Sequence, residues 1–349
     1  MSKIVEERVQ GLVVKSPGPD DEYSAVIGTH DGHFHCDEAF ACGMLQLTEE
    51  FKGLPVVRTR NSEVLDKCNI VVDVGAKFDP AAKRFDHHQR EFKDVFFSED
   101  FKTKLSSAGL VYKYYGKEII SNIASATNVS LSDELRDLLH TKVYEGFVEH
   151  IDGIDNGIDA YSGEKNYSVS THLSARVGTL NPTWMEEQSN EKTNAQFKKA
   201  VHLTTSEFVQ QVERLLVVWL PAREIVKASV EKRFEVDPSG HIVKFEQSCP
   251  WKSHLYLLEE EGTAKLKVGD VKYVLYEDSN GAWRIQCVPE SENSFQSRLP
   301  LPEKYRGFRD QELSDLWGIP GCIFVHAAGF IGGNKTFDGA LKMAQSALQ

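Results

Sequence analysis

The sequence has no run approaching the roughly 18 consecutive apolar residues that a membrane span requires, which removes the integral-membrane class. Cysteine is sparse. The six thiols, Cys36, Cys42, Cys68, Cys249, Cys287 and Cys322, are scattered and never form a C-x-x-C pair. That spacing argues against both a disulfide framework and a structural zinc site, and leaves them as reduced, mostly buried thiols. Positive charge is short as well: 40 Lys and Arg against 52 Asp and Glu give a formal charge of -12. That balance argues against a protein that coats nucleic acid through a broad basic face, because that binding comes from cations neutralising many phosphates. An enzyme gripping one strand end locally is compatible with it. The opening MSKIVEERVQGLVVKSPGPDDEYS mixes acids with bases, and has neither the apolar stretch of a signal peptide nor the acid-poor, Arg-rich composition of a transit peptide. A cytosolic or nuclear location is the expectation. Internal repeats and low-complexity tracts are missing too.

What is present reads as two domains, the default for a chain of 349 residues. From Ser24 short apolar runs alternate with helical patterns, the signature of parallel strands with crossover helices. Strands are expected at 24–28, 55–59, 69–75 and 83–86, and helices at 37–51, 107–125, 132–151 and from 185 to near 220. Ser132-Asp133-Glu134 supplies capping chemistry for the third helix. Beyond Pro221 the pattern changes. YVLYEDSNGAWRIQCV places Asn280-Gly281 between alternating strands, a strong hairpin signature, and KTFDGALKMAQSAL closes the chain as a helix. The fold class is thus α/β, mostly parallel with flanking helices, plus a smaller α+β domain. The boundaries read as a catalytic domain at 1–184, a helical connector at 185–220 and a substrate-binding domain at 221–349.

Four clusters of acids and histidines gather where predicted strands or helices end. They are THDGHFHCDE at 29–38, Asp73 in VVDVG, Asp86-His87-His88, and HIDGIDNG at 150–157. Three lie past the carboxyl ends of strands, the edge of an open α/β sheet where ligands bind. Each has a bland alternative: Asp73 as a turn cap, His30 as a satisfied loop histidine, His150 as a favourable charge at a helix end, Asp155-Asn156-Gly157 as a plain turn. Together they are harder to dismiss, because carboxylates buried at one sheet edge repel unless a cation lies between them. Carboxylates mixed with imidazoles, and no thiolate pairs, suit manganese or another borderline divalent ion. Asp37, Asp73 and Asp152 carry three charges, so two divalent ions exceed them by one and attract a phosphate. Two such ions lower the pKa of a water between them and stabilise both oxygens of an in-line displacement.

Asp86-His87-His88 after a strand, with Asp73 upstream and Asp152 downstream, resembles the DHH phosphoesterase superfamily of nucleases, oligonucleotide-degrading enzymes and manganese pyrophosphatases. More narrowly, IGTHDGHFHCDEA, VVDVG, RFDHHQR, LSSAGL, FQSRLPLP and GCIFVHAAGFIGG look like the melanocyte-proliferating gene one family of metal-dependent exonucleases, from about residue 24 onward. The resemblance implies two divalent ions, manganese first and magnesium or zinc next, with His30, His35, Asp37, Asp73, His87 and Asp152 or Asp155 as ligands. Asp152 is preferred over Asp155. Asp73 would bridge both ions, His87 would bind the second, and His88 would contact the scissile phosphate. His35 stands where the superfamily motif has its first aspartate, so an imidazole replaces a carboxylate; His33 ranks lower. Asp86 and His88 are candidate catalytic groups. Glu38 is a candidate base, with an ordinary acid at a helix start as the more common alternative.

In the second half, Gly332 and Gly333 of GFIGGN are expected in a helix-entry loop whose N–H groups cradle a phosphate or terminal nucleotide, as in the superfamily's accessory domain; a plain loop is the alternative. Arg298, Arg306 and His326 are the candidate phosphate contacts, the arginines because a guanidinium matches phosphate geometry. Trp283 and Phe295 could stack bases or simply pack. The expected partner is single-stranded nucleic acid, RNA 3′ ends by resemblance, with no membrane; a homodimer is compatible with the sequence. Relatives in mitochondria and nucleus add a mitochondrial location. Two other readings compete. His33-Phe34-His35 resembles the opening of zinc amidohydrolase barrels, although these need about eight strand-helix units in roughly 250 residues. A non-catalytic metal- or RNA-binding module is the other.

Overall fold

The structure is a computed structural model that describes residues 2–18, 21–97, 101–164, 166–292 and 294–349. Two compact units emerge, Met1–Val217 and Val218–Gln349.

The first unit is built on a six-stranded sheet. Its strands are β1 (Val14–Lys15), β2 (Ile27–Thr29), β3 (Val56–Arg58), β4 (Ile70–Val72), β5 (Phe78–Asp79) and β6 (Arg84–Phe85). The order is β1-β3-β2-β4-β6-β5, parallel throughout except for the antiparallel β5/β6 pair at one edge. Ile27, Val56, Val57, Ile70, Val71 and Val72 are all buried, as continuous β-branched runs are when helices cover both faces of a parallel sheet. The expected α/β class is therefore observed. An open sheet with two edges also rules out the eight-unit barrel of the amidohydrolase reading. β1 and β5 were not anticipated, since two residues carry no readable periodicity.

The Cys36–Gln46 helix follows β2 and is buried over its whole length. Its buried amide at Gln46 is satisfied at both ends, giving a hydrogen bond to the Leu54 carbonyl and accepting one from the Gly53 N–H. Against it lies the Asn190–Arg214 helix, the segment expected as a connector. Phe34 meets Phe197 edge-on at 5.6 Å and Phe40 meets Phe208 at 5.0 Å. A β-carbon on Gly43 would come within 1.9 Å of the Thr205 hydroxyl, so the close approach of these two helices requires glycine. The helix expected at 132–151 is instead three joined pieces: Asp133–Val143, a π-helical turn at Tyr144–Val148, and Glu149–Asp155.

The second unit carries a five-stranded sheet of β7 (Ile242–Lys244), β8 (Tyr273–Glu277), β9 (Trp283–Cys287), β10 (Cys322–Val325) and β11 (Ile331–Asn334). The order is β10-β11-β9-β8-β7, antiparallel apart from the β7/β8 pair. Asn280-Gly281 forms the β8/β9 hairpin turn as expected, with Gly281 at φ +78°, a conformation natural to glycine. Alternation along β8 sorts the core. Tyr273 and Leu275 face a cluster with Leu313 and Met343, and Val274 faces one with Val226, Leu255 and Leu258. Among the described residues no helix is long and apolar enough to cross a membrane.

Candidate metal centre

β2, β4 and β6 are neighbours in the first sheet and run parallel. Their carboxyl ends therefore deliver His30, Asp73 and Asp86-His87-His88 to one edge. Three groups of side chains there offer ligand atoms within 4.8 Å of one another: His30, His35, Glu38 and Asp73; Asp73, His87 and His88; and Asp37, His87 and Asp155. His30, His35, Asp73, His88, Asp155 and Arg60 help to line a cavity of about 570 Å³ in this unit.

His30 is buried, and its Nδ1–H is directed at the Asp31 carbonyl at 3.0 Å. That bond leaves Nε2 facing Glu38 at 2.9 Å and Asp73 at 3.5 Å, the arrangement of a metal-ligating imidazole whose other nitrogen is oriented by a carbonyl. Burial opposes charge on this ring, but Asp73 and Glu38 outweigh it and raise its pKa to about 10. Glu38 takes the helix-start position that the plain reading expected and also faces a candidate ligand. It accepts the His35 N–H at 2.9 Å, closing the start of the helix, and it faces His30. His35 itself is more than half exposed, with Nδ1 at 4.0 Å from Glu38.

Asp73 points one carboxylate oxygen each way. Oδ2 faces His30, while Oδ1 lies 3.4 Å from His87 Nε2 and 3.5 Å from His88 Nδ1. Its φ of +58° is costly for a residue with a side chain, and such strain concentrates at functional sites. Burial works against the charge on Asp73, yet His30 and His87 hold its pKa well below the carboxylate range.

His87 carries the test of whether a cation fits. Its Nε2 lies 3.2 Å from Asp155, 3.4 Å from Asp73 and 3.7 Å from Asp37. Among the described residues neither ring nitrogen has a hydrogen-bond partner, although both are buried. Three carboxylates and an imidazole converging without bonding one another are the donor set of a divalent ion. Without one, burial resists protonation of His87, but Asp155 and Asp73 raise its pKa to about 11. A cation would displace those protons, as metal binding to imidazoles does. Asp37, fully buried, is pushed up by burial and by the charges of Asp155 and Asp73. Asp86 does not join the ligands. It accepts from Ala76 N–H at 2.6 Å and from His88 N–H at 3.0 Å, and its Oδ1 lies 2.7 Å from His88 Nδ1. Its task is to fix the His88 ring, whose pKa it raises.

Between the two downstream acids, the geometry reverses the order of preference. Asp155 reaches His87, whereas Asp152 belongs to none of the ligand groups. Asp152 is instead taken up by Ser106 N–H at 2.9 Å, Ser106 Oγ at 2.7 Å and Tyr144 OH at 2.8 Å, and burial pushes its pKa up to about 7.

The second unit requires two corrections. Arg298 is not free for phosphate: both its terminal nitrogens bond Glu259, at 2.6 and 2.7 Å, in a pair that is almost fully buried. Gly332 and Gly333 are not in a loop. They form the middle of β11, paired with β10 on one side and β9 on the other, so the sheet uses their backbone groups. A β-carbon on Gly333 would meet the Arg284 guanidinium at 2.5 Å, which explains glycine there without a ligand. Arg306 and His326 both lie at the turn before β11. Arg306 Nε donates to the Leu301 carbonyl at 2.8 Å and packs on Gly329, and His326 Nδ1 accepts the Ala328 N–H at 3.1 Å. Trp283 packs on Phe337 at 4.9 Å, and Phe295 is fully exposed.

Sequence reasoning missed four supports of the site. Ser106 and Ser107 at the start of the Ser107–Ala126 helix bond Asp37 through Ser106 Oγ at 2.6 Å and Ser107 N–H at 3.0 Å; the N-cap pattern of LSSAGL was the available signal. Buried Arg58 holds the Gly32 carbonyl at 2.9 Å, and Asn181 clasps the Phe34 backbone at 3.0 and 2.8 Å. No local pattern reveals either.

A family profile, MYG1_exonuc, described as "Uncharacterised protein family (UPF0160)", matches residues 26–348. The MYG1 exonuclease of Bos taurus is 48% identical over 328 residues, covering 92% of this chain and 84% of the relative. The MYG1 exonuclease of Homo sapiens is 48% identical over the same length, covering 92% and 85%. The MYG1 protein of Saccharomyces cerevisiae is 43% identical over 342 residues, covering 96% and 99%. No solved structure matches the chain. A profile spanning nearly the whole chain, with relatives this similar over nine-tenths of it, makes this protein a member of the MYG1 exonuclease family, UPF0160.

Proposed function

We propose that this protein is a divalent-metal-dependent nuclease that hydrolyses phosphodiester bonds at the ends of single-stranded nucleic acid, acting 3′ to 5′ on RNA, with manganese as its ion. The observation that carries this reading is Asp73, whose two oxygens face two histidine-containing groups across one cavity edge; relatives named exonucleases support the reaction class. His30, His35, Glu38 and Asp73 would hold one ion, and Asp37, Asp73, His87 and Asp155 the other. Divalent ions there would make a water nucleophilic near neutral pH and offset charge on the phosphate.

The chain's own residues do the rest. Asp86 fixes the His88 ring by accepting from Nδ1 and favours its protonated form, in which Nε2 carries the second hydrogen and can donate it to a phosphate oxygen. Arg60 on the cavity wall adds a cation for the same phosphate. Arg306 and His326 are proposed as contacts for the strand in the second unit, since among the described residues the terminal nitrogens of the one and Nε2 of the other make no hydrogen bond.

Digestion of end-labelled RNA tests this. With Mn²⁺ the protein should release mononucleotides from the 3′ end, lose that activity on chelation and regain it when Mn²⁺ is restored. A 3′-blocked RNA and a DNA strand of the same sequence report polarity and sugar preference. Absence of cleavage with any divalent ion, or cleavage indifferent to chelation, would contradict the reading.

A further inference from the structure

Asp152 is a fully buried acid beside the centre that no ligand group uses. It enters the first turn of the Ser107–Ala126 helix at a point where only glycine leaves room: a β-carbon on Gly109 would lie 2.3 Å from Asp152 Oδ1. The π-helical turn at Tyr144–Val148 precedes it, a feature frequent at functional sites. Tyr144, at the start of that turn, donates to Asp152 Oδ2 at 2.8 Å and is itself stacked on Phe96 at 3.9 Å.

Ser106 stands between this acid and a candidate ligand. Its Oγ is 2.7 Å from Asp152 Oδ1 and 2.6 Å from Asp37 Oδ1. A hydroxyl has one hydrogen and can give it to one of two oxygens at a time. Asp152 is held independently, by the Ser106 N–H at 2.9 Å and the Tyr144 hydroxyl, so its place is set without that hydrogen. Asp152 thus holds the Ser106 backbone, Ser106 Oγ accepts the Gly109 N–H at 3.4 Å as the cap of the helix, and its one hydrogen is left for Asp37 Oδ1. Asp37 is further gripped by Ser107 N–H at 3.0 Å and Ala108 N–H at 2.5 Å, and its Oδ2 faces His87 Nε2 at 3.7 Å.

We propose that Asp152 is a positioning residue: acting through Ser106 and backed by Tyr144, it holds the Asp37 carboxylate in the orientation that completes the ion site shared with His87 and Asp155. This rests on the metal-dependent reading above. It also assigns a task to the acid that the sequence had offered as a ligand. Partners of metal ligands that do not touch the ion typically contribute about 10- to 100-fold in affinity, and that is the size expected here.

Calorimetric titration of Mn²⁺ into the full chain, stripped of metal, is the test. Asp152→Ala and Ser106→Ala should each weaken one of two binding events by about 10- to 100-fold and spare the other. Ser106→Thr, which keeps the hydroxyl, should restore it. The double variant should bind no worse than the weaker single, because both residues act along one path. A merely structural role would lower the melting temperature and leave Mn²⁺ affinity alone. Affinities within about twofold of wild type in folded single variants, or losses that add in the double, overturn the proposal. If Asp152→Ala is too unstable to titrate, Tyr144→Phe removes a single oxygen and should cost roughly fivefold at the same site; no loss there overturns it equally. Asp155→Ala is the comparator. Should the wild-type chain take up no Mn²⁺, or Asp155→Ala bind it undiminished, the metal reading itself fails, an outcome distinct from failure of the positioning role alone.

Discussion

Asp73→Asn is expected to lower kcat/KM for manganese-dependent nucleotide release by about three orders of magnitude while leaving the fold intact. Asparagine keeps the shape of the side chain and tolerates the left-handed backbone that Asp73 adopts at φ +58°, so the comparison isolates the charge. An alanine at that φ would add backbone strain and confuse the result. The magnitude follows from the position. One carboxylate faces both ligand groups, so its loss weakens two ions together, and ions of this kind supply several kcal/mol of transition-state stabilisation, each 1.36 kcal/mol of which is about tenfold in rate. Steady-state kinetics on labelled RNA beside a circular dichroism melt checks it. Activity within about tenfold of wild type would remove Asp73 from the chemistry.

The second large effect is on stability and lies in the other unit. Arg298→Ala should destabilise the second unit by about 3–5 kcal/mol, the usual cost of leaving one partner of a buried ion pair alone. Glu259 would be left with two charged oxygens out of water, since its side chain and that of Arg298 are 1% and 6% exposed. The guanidinium also bonds the Val271 carbonyl at 3.1 Å and lies over Tyr256 at 5.0 Å, so its removal unties the Lys252–Glu260 helix from the segment that leads into β8. Urea denaturation reports the loss. Replacing both partners with apolar residues of similar volume should recover much of it, because no charge is then stranded. An arginine whose task was to bind phosphate would behave differently: its loss would raise KM and leave the denaturation midpoint unchanged.

These two residues show what the amino-acid order made legible. His30 and Asp73 could be read because each follows an apolar β-branched run, and Asp86-His87-His88 because an acid and two imidazoles in a row after Phe85 are unusual; parallel strands then deliver their carboxyl-terminal residues to one edge whatever the details of the loops. The Asn280-Gly281 hairpin was equally plain, because a glycine between two alternating runs supplies the positive φ that a tight β-connection needs. Arg298 was misread because its partner is 39 positions away and nothing local distinguishes a buried guanidinium from one that awaits a phosphate. Gly332-Gly333 suggested a loop since glycine is poor in strands; the structure needs it for the Arg284 side chain that crosses above. The preference for Asp152 came from the resemblance alone; the two acids stand three positions apart in the Glu149–Asp155 helix just after the π-helical turn at Tyr144–Val148, where no local pattern says which of them reaches His87. The two-residue edge strands were too short to show any period.

The claim on which all of this depends is that side chains from β2, β4, β6 and the Glu149–Asp155 helix converge to hold divalent ions. Crystals grown with Mn²⁺ and measured at the manganese absorption edge address it most directly. The account predicts anomalous peaks at the cavity edge, one beside His30, Glu38 and Asp73 and one beside Asp37, His87 and Asp155, with Asp152 away from both. Peaks elsewhere in the molecule, or none at these side chains in the presence of abundant Mn²⁺, would contradict it.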